Sequence, residues 1–318
     1  IDLFIGNLSN PKNFGANVNS AILVNDGKGN FTADFEFQLN AKVTDATWID
    51  VNEDGQKDLL VATEWGNPQV FINKSGKLSL LEIPKNLAGL WQSITAFDID
   101  KDGDKDILIG NWGLNTKFNA SVDNPLRLYY GDFDANNKQE TVLTYSKKGK
   151  EYPINSKNEL AAQMNRISTQ FVTHKNYALK TVVEVLTQDA IDKAKKFTVN
   201  TLASGYLENN KGAFTVFKQF PKELQVAPIT NFNKLHFKNE DALIISGNSL
   251  SVNTYHGGYT SLKGVLLNSI SEYQFVSDFG ITPFSEQMKS IKVVEMKNEK
   301  RLLVISNNDS IRSYSFEK

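Results

Sequence analysis

Aliphatic runs of four or five residues recur along the chain, and polar, turn-forming stretches separate them. Ile1-Asp-Leu-Phe-Ile5, Leu59-Leu-Val-Ala62, Ile107-Leu-Ile-Gly110, Ala242-Leu-Ile-Ile245 and Leu302-Leu-Val-Ile305 are the most regular. Their shortness and their Gly, Asn and Asp boundaries predict β-strands rather than helices. Hairpin signals join several of them. Leu23-Val-Asn-Asp-Gly-Lys-Gly-Asn-Phe31, Phe71-Ile-Asn-Lys-Ser-Gly-Lys-Leu78 and Leu207-Glu-Asn-Asn-Lys-Gly-Ala-Phe214 place Asn and Gly where a tight turn needs positive φ.

A second signal repeats. An acidic loop runs directly into an apolar stretch three times, at Asp50-Val-Asn-Glu-Asp-Gly-Gln-Lys-Asp58, Asp98-Ile-Asp-Lys-Asp-Gly-Asp-Lys-Asp106 and Asp132-Phe-Asp-Ala-Asn-Asn-Lys-Gln-Glu140. Short strands in units of roughly 40–50 residues, divided by turns, fit the blades of a propeller. The expected fold is an all-β propeller of six or seven blades. Residues 1–318 are read as a single domain whose first blade is incomplete, because the sequence opens in a strand-like run.

One segment departs from this pattern. Between about residues 155 and 196 the apolar spacing turns helical, with Leu160, Met164 and Ile167, then Leu179, Val182 and Val183. Ser156 and Glu159 form a capping box before the first helix. Ala190, Ala194 and Lys195-Lys196 suit a short third helix. The segment is read as a helical insertion within one blade, packed over the propeller, with partner docking as its alternative role.

Composition narrows the function. With 35 basic and 36 acidic residues the net charge is −1. No basic surplus exists to neutralise a phosphate backbone, so nucleic acid is not an expected partner. The absence of cysteine removes thiolate metal sites, disulfides and cysteine nucleophiles. No apolar run reaches the roughly 18–20 residues that span a bilayer, so no transmembrane segment is expected. An export signal is expected upstream.

The acidic loops carry the chemistry. Asp98, Asp100, Asp102, Asp104 and Asp106 place five carboxylates within nine residues, and Lys101 and Lys105 offset them only in part. Such a turn repels itself unless a cation neutralises it. Oxygen donors at loop positions 1, 3, 5 and 9, with a backbone carbonyl at 7, can wrap one ion. Hard oxygens in that number favour Ca²⁺, and no His or Cys joins them to suggest zinc. Gly55 and Gly103 stand at position 6, where the chain turns sharply. An EF-hand would need a Glu at position 12, which falls instead on Val61, Ile109 and Leu143 in β runs. The third loop lacks the glycine and ends in Glu140. A fourth, from Asn231 to Asp241, has lost the acidic spacing, and no cation is expected there.

These loops resemble the FG-GAP/VCBS repeat family of integrin α-subunit propellers and secreted bacterial proteins. Asp2-Leu-Phe-Ile-Gly-Asn7, Gly89-Leu-Trp-Gln-Ser-Ile-Thr-Ala-Phe-Asp98, Gly110-Asn-Trp-Gly-Leu-Asn115 and Gly149-Lys-Glu-Tyr-Pro153 extend the likeness. Together they resemble the C-terminal propeller of bacterial surface proteins that carry an ASPIC/UnbV domain, a cartilage-acidic-protein-like group. The resemblance implies calcium at Asp50, Asn52, Asp54, Gln56 (carbonyl) and Asp58, and at Asp98, Asp100, Asp102, Asp104 (carbonyl) and Asp106. It implies a third set at Asp132, Asp134, Asn136, Lys138 (carbonyl) and Glu140. It further implies export, commonly to the outer-membrane surface, and a role in binding a protein or glycan or in an outer-membrane assembly.

No active site is legible. His174, His236 and His256 have no nucleophile or acid at a telling spacing, and no phosphate-cradling glycine loop is present. The main expectation is therefore a non-enzymatic binding or scaffold module. The alternative is a calcium-dependent polysaccharide lyase or hydrolase. For that reading His256-Gly-Gly-Tyr259 would be a ligand loop, and Trp65 and Trp112 would be exposed for stacking on sugars.

Overall fold

The computed structural model describes residues 2–237, 240–252, 257–297 and 299–316. The chain is all-β in class, mostly strands with few helices. The first sheet contains β1 (Leu3–Ile5), β2 (Asn19–Asn25) and β3 (Phe31–Ala33), with β4 (Leu39–Asn40) paired to β2. The second runs β5 (Lys42–Ile49), β6 (Asp58–Gly66), β7 (Gln69–Lys74), β8 (Lys77–Leu80), and β9 (Gly89–Leu90) joins β6. All pairings are antiparallel, as hairpin-joined strands require.

The third sheet is interrupted. It opens with β10 (Ser93–Phe97) and β11 (Asp106–Gly110), and resumes only at β16 (Gly205–Asn210) and β17 (Ala213–Gln219). Residues 111–204 between them form a module of their own. Its sheet has the order β14 (Lys150–Pro153), β13 (Glu140–Lys147), β12 (Leu126–Gly131), β15 (Lys195–Val199). Its helices are α1 (Lys157–Gln163), α2 (Arg166–Gln170), α3 (His174–Tyr177), α4 (Val182–Leu186) and α5 (Gln188–Lys193). The insertion is therefore wider than the helical segment that periodicity marks. The Ser156–Glu159 capping box is formed in full. Lys195 and Lys196 belong to β15, not to a helix, because they pair with Tyr130 and Tyr129 of β12. Leu179 is exposed, and Val182, Val185 and Leu186 form the buried face instead.

Two more sheets follow. The fourth is β18 (Ile229–Phe237), β19 (Glu240–Gly247), β20 (Val265–Ser269) and β21 (Glu272–Phe275); the fifth is β22 (Met288–Glu295), β23 (Lys300–Ser306) and β24 (Arg312–Phe316). The described residues of the segment Asn231–Asp241, read above as a decayed loop, lie in the paired strands β18 and β19, with His236 opposite Asp241. A bulge between Ile229 and Asn231 lies just before this segment, and from Asn231 on the register is continuous.

The edge strands β5, β10, β18 and β22 adjoin one another in that order. Similar bonds tie each junction. The Thr44 hydroxyl donates to the Trp91 carbonyl (2.7 Å) and the Ile94 amide to Asp45 (3.0 Å). The Ser93 hydroxyl donates to the Ile229 carbonyl (2.8 Å), and the Thr230 hydroxyl to that of Met288 (3.4 Å). β5, β18 and β22 each carry a bulge beside these contacts. Between sheets lie separate apolar clusters, one around the fully buried Trp91 and Leu60, another around Leu108, Leu243 and Val265. Gly110 permits a close approach at the β10–β18 junction: a Cβ there would drive into the Ile229 carbonyl oxygen. The described strands form six sheets in all, four of them adjoining through β5, β10, β18 and β22. The strands around the third acidic loop belong to the inserted sheet.

That module docks where β6 and β11 end. Leu126, Val199 and Leu202 bury Trp65, Leu90 and Trp112. The two tryptophans are half-buried beneath it and do not form an open sugar-stacking surface. Trp112 also meets Tyr259 edge-to-face at 5.5 Å.

Candidate metal centres

Each acidic loop connects two paired strands, β5 to β6, β10 to β11 and β12 to β13. All three share one backbone path. Position 4 is left-handed in each, at Glu53 (φ 61), Lys101 (φ 65) and Ala135 (φ 60). Position 6 is left-handed too, at Gly55 (φ 85), Gly103 (φ 101) and Asn137 (φ 63). Asparagine tolerates that region, so the third loop keeps the turn without the glycine. Position 2 is a buried anchor in every copy: Val51, Ile99 and Phe133.

The side chains repeat as well. The position-1 carboxylate accepts from the position-6 amide: Gly55 to Asp50 (2.9 Å), Gly103 to Asp98 (3.2 Å) and Asn137 to Asp132 (2.8 Å). The position-5 side chain accepts from the position-7 amide, as Gln56 to Asp54, Asp104 to Asp102 and Lys138 to Asn136. The position-9 carboxylate is buried and accepts from position 2: Val51 to Asp58 (3.0 Å), Ile99 to Asp106 (3.2 Å) and Phe133 to Glu140 (2.8 Å).

Two trios of carboxylates converge so that one oxygen from each lies within 4.8 Å of the others: Asp98, Asp100 and Asp106, and Asp132, Asp134 and Glu140. In the first loop position 3 is Asn52, an amide, and its NH₂ donates to Asp54 (3.1 Å). Asp102 and Asp104 lie outside the convergent trio. Asp104 instead accepts from the Lys211 amide, and the Gln56 side chain accepts from that of Ser75.

The electrostatics is that of a site short of positive charge. Burial, with Asp100 and Asp102 adding repulsion, pushes the Asp106 carboxyl up to about 6, against the hydrogen bonds from the Asn209 and Ile99 amides. Burial likewise raises Asp58, with Asp54 and Asp50 beside it, and Glu140, with Asp134 and Asp132. Asp98, Asp100 and Asp134 each hold one Oδ1 away from solvent without a hydrogen-bond partner. Buried oxygens of this kind are costly unless something donates to them or coordinates them. The donor set is all oxygen, as hard divalent cations require.

Two residues outside the sequence motif complete the first two loops. The Asn73 amide donates to the second oxygen of Asp58 (2.8 Å) while its side chain donates to the Lys57 carbonyl (3.1 Å). Asn209 does the same for Asp106 (2.8 Å) and the Lys105 carbonyl (3.0 Å). Both asparagines open the hairpin turns that recur in the sequence, and each carboxamide also accepts from the turn glycine, Gly76 or Gly212. The recurrence of Asn at those turns was the available signal. Asn25 of the first sheet donates to Asp2 in the same manner (2.9 Å), which aligns β1 with β6 and β11. The third loop is held otherwise: the Gln163 side chain of α1 accepts from the Thr141 amide (2.9 Å). Lys105 links the first two loops, reaching the Asp50 carbonyl (3.2 Å) and Glu53 (3.3 Å).

Among the described residues the remaining candidates do not gather into a reactive group. His174 is exposed on α3, and His236 is exposed with Nδ1 3.0 Å from Asp241. His256 lies outside the described residues. Tyr259 is a core residue, its hydroxyl 3.0 Å from that of Thr116. No helix among the described residues is long and apolar enough to cross a membrane.

A comparison with curated proteins finds no match. The segment from the first acidic loop to the strand after the second, residues 50–109, does match a family model, that of an FG-GAP-like repeat.

Proposed function

We propose that the chain is a non-enzymatic, calcium-binding β-propeller that acts as a binding or scaffold module of an exported cell-surface protein. The observation that carries this reading is the convergence of Asp98, Asp100 and Asp106, with buried oxygens that have no donor. A calcium ion would neutralise the cluster and supply the missing partner to those oxygens. Asp98, Asp100, Asp102 and Asp106 would hold it, with Asp50, Asn52, Asp54 and Asp58 as the sister site. Asp132, Asp134, Asn136 and Glu140 would form a third. The Gln56, Asp104 and Lys138 carbonyls are proposed as position-7 ligands.

The adjoining edge strands and the FG-GAP-like repeat support the propeller. Repeats of this type are typical of extracellular proteins, which supports export and a protein or glycan ligand at the cell surface. The particular likeness to ASPIC/UnbV-associated propellers, and an outer-membrane setting, extend the same proposal. Calorimetric titration of metal-depleted protein tests the metal. Calcium should bind with a stoichiometry set by the acidic loops and more tightly than magnesium. No calcium binding, or equal binding after Asp98→Ala, would refute it.

A further inference from the structure

The inserted module holds a cleft that the acidic loops do not explain. It opens where α4 and α5 lie against the sheet, and its volume is about 740 Å³, within the range of small-molecule sites. Arg127 and Tyr129 of β12, Lys150 and Glu151 of β14, Val183 of α4 and Lys196 of β15 give it its chemistry.

Its charges are unevenly used. Glu151 accepts from the Arg127 guanidinium, from the Tyr129 hydroxyl (2.7 Å) and from the Thr144 hydroxyl (3.2 Å). Glu184, also on the cleft wall, accepts from the amide and hydroxyl of Thr181 (both 2.8 Å) and from Lys180 (2.9 Å). Both carboxylates are thus committed to protein donors. The cations are committed only in part. Lys150 is exposed, and its ammonium has no partner among the described residues. Lys196 stands 3.9 Å from Asp192 and 6.0 Å from the centre of the Tyr129 ring. Arg127 engages Glu151 through Nη1 alone.

Arg127, Lys150 and Lys196 against Glu151 and Glu184 leave one net positive charge on the walls. That balance suits a monoanion; a phosphate dianion would meet two fixed carboxylates. Beside the cations lies an apolar flank, made by the half-exposed Val183 and by Ile191, which an ion without a carbon body would leave bare. We propose that this cleft binds a small organic monocarboxylate. Its carboxylate would lie between Lys150, Lys196 and the free edge of the Arg127 guanidinium, with its ring or aliphatic body on Val183. None of the acidic-loop ligands lines the cleft, so the proposal stands apart from the calcium reading.

The test is calorimetric titration of the full chain with D-glucuronate and with benzoate, against glucose and benzamide as their uncharged counterparts. At least one carboxylate should bind saturably, its neutral counterpart about tenfold more weakly or worse. The stronger of the two tells a sugar acid from an aromatic one. Lys150→Ala and Lys196→Ala should each weaken binding about tenfold. Both side chains are exposed, so the melting temperature should hold and report that folding is intact. Absence of binding by both acids, equal binding of a neutral counterpart, or unchanged binding by the doubly substituted chain would overturn the proposal.

Discussion

Replacing Asp106 with Asn separates the electrostatic account of the loops from a purely structural one. In metal-free protein the ionised Asp106 is buried among like charges, and its carboxyl is pushed up from 3.8 to about 6. A shift of that size means the charged form is disfavoured by about 3 kcal/mol. Asparagine removes the charge. It also gives up one of two accepted hydrogen bonds, from the Asn209 and Ile99 amides, at a cost of about 1–3 kcal/mol. The metal-free variant should therefore range from unchanged to about 2 kcal/mol more stable.

With calcium present the sign reverses. A site saturated at about 100 times its dissociation constant adds about 2.7 kcal/mol. For a chain of 318 residues that corresponds to about 4 °C in melting temperature per site. Differential scanning calorimetry with and without calcium at neutral pH reads both halves. Asp106→Asn should lose about one site's share of the calcium-dependent rise while its metal-free melt stays level or rises. Equal destabilisation in both buffers would refute the reasoning, since the carboxylate would then be serving the fold alone. So would a wild-type melt that ignores calcium.

The other expectations concern neighbouring features. In metal-free buffer, stability should rise as pH is lowered from about 7 to about 5, read as the urea midpoint. The folded form holds protons on Asp106 that the unfolded chain has already released, and Asp58, Asp100 and Glu140 shift in the same direction. In calcium the trend should flatten or invert as protons compete with the ion. Asn209→Ala removes the bridge to the Lys105 carbonyl and the acceptor for Gly212, and should cost about 1–3 kcal/mol by urea denaturation. Calcium affinity should weaken with it while the Asp98 side chain is untouched. Trp65→Ala strips the apolar seat under Leu126 and Val199 at a cost of about 2 kcal/mol. Limited proteolysis should then cut within residues 111–204 faster than elsewhere.

The acidic loops were the most legible part of the chain, because a loop that closes on itself writes all its donors into one stretch of sequence. The capping box at Ser156 is legible for the same reason. What required long-range pairing was not. β11 pairs with β16 across residues 111–204, and nothing local in Leu207-Glu-Asn209 names Asp106 as its partner. The extent of the insertion stayed hidden behind its more conspicuous helices. Lys195-Lys196 reads as the end of a helix, yet β12 recruits it as a strand. The segment that pairs β18 with β19 looked like a lost metal loop because it stands just before the aliphatic run at Ala242, as the acidic loops stand before theirs. Trp65 and Trp112 could be placed on equivalent strands from sequence, but what covers them comes from elsewhere in the chain.

The interruption of the third sheet sets a timetable for the ribosome. β10 and β11 emerge together, but β11 meets β16 only after residues 111–204 have been made. At ordinary translation speeds that interval is roughly 5–20 seconds. Throughout it a hydrophobic strand, Ile107-Leu-Ile109, keeps one edge unpaired, and such edges recruit other chains. Rapid, independent folding of the intervening module would shorten that exposure by bringing the ends of the gap together. Slow translation or a weakened module would lengthen it. Aggregation during synthesis, rather than loss of the finished fold, is then the characteristic penalty for damage to residues 111–204.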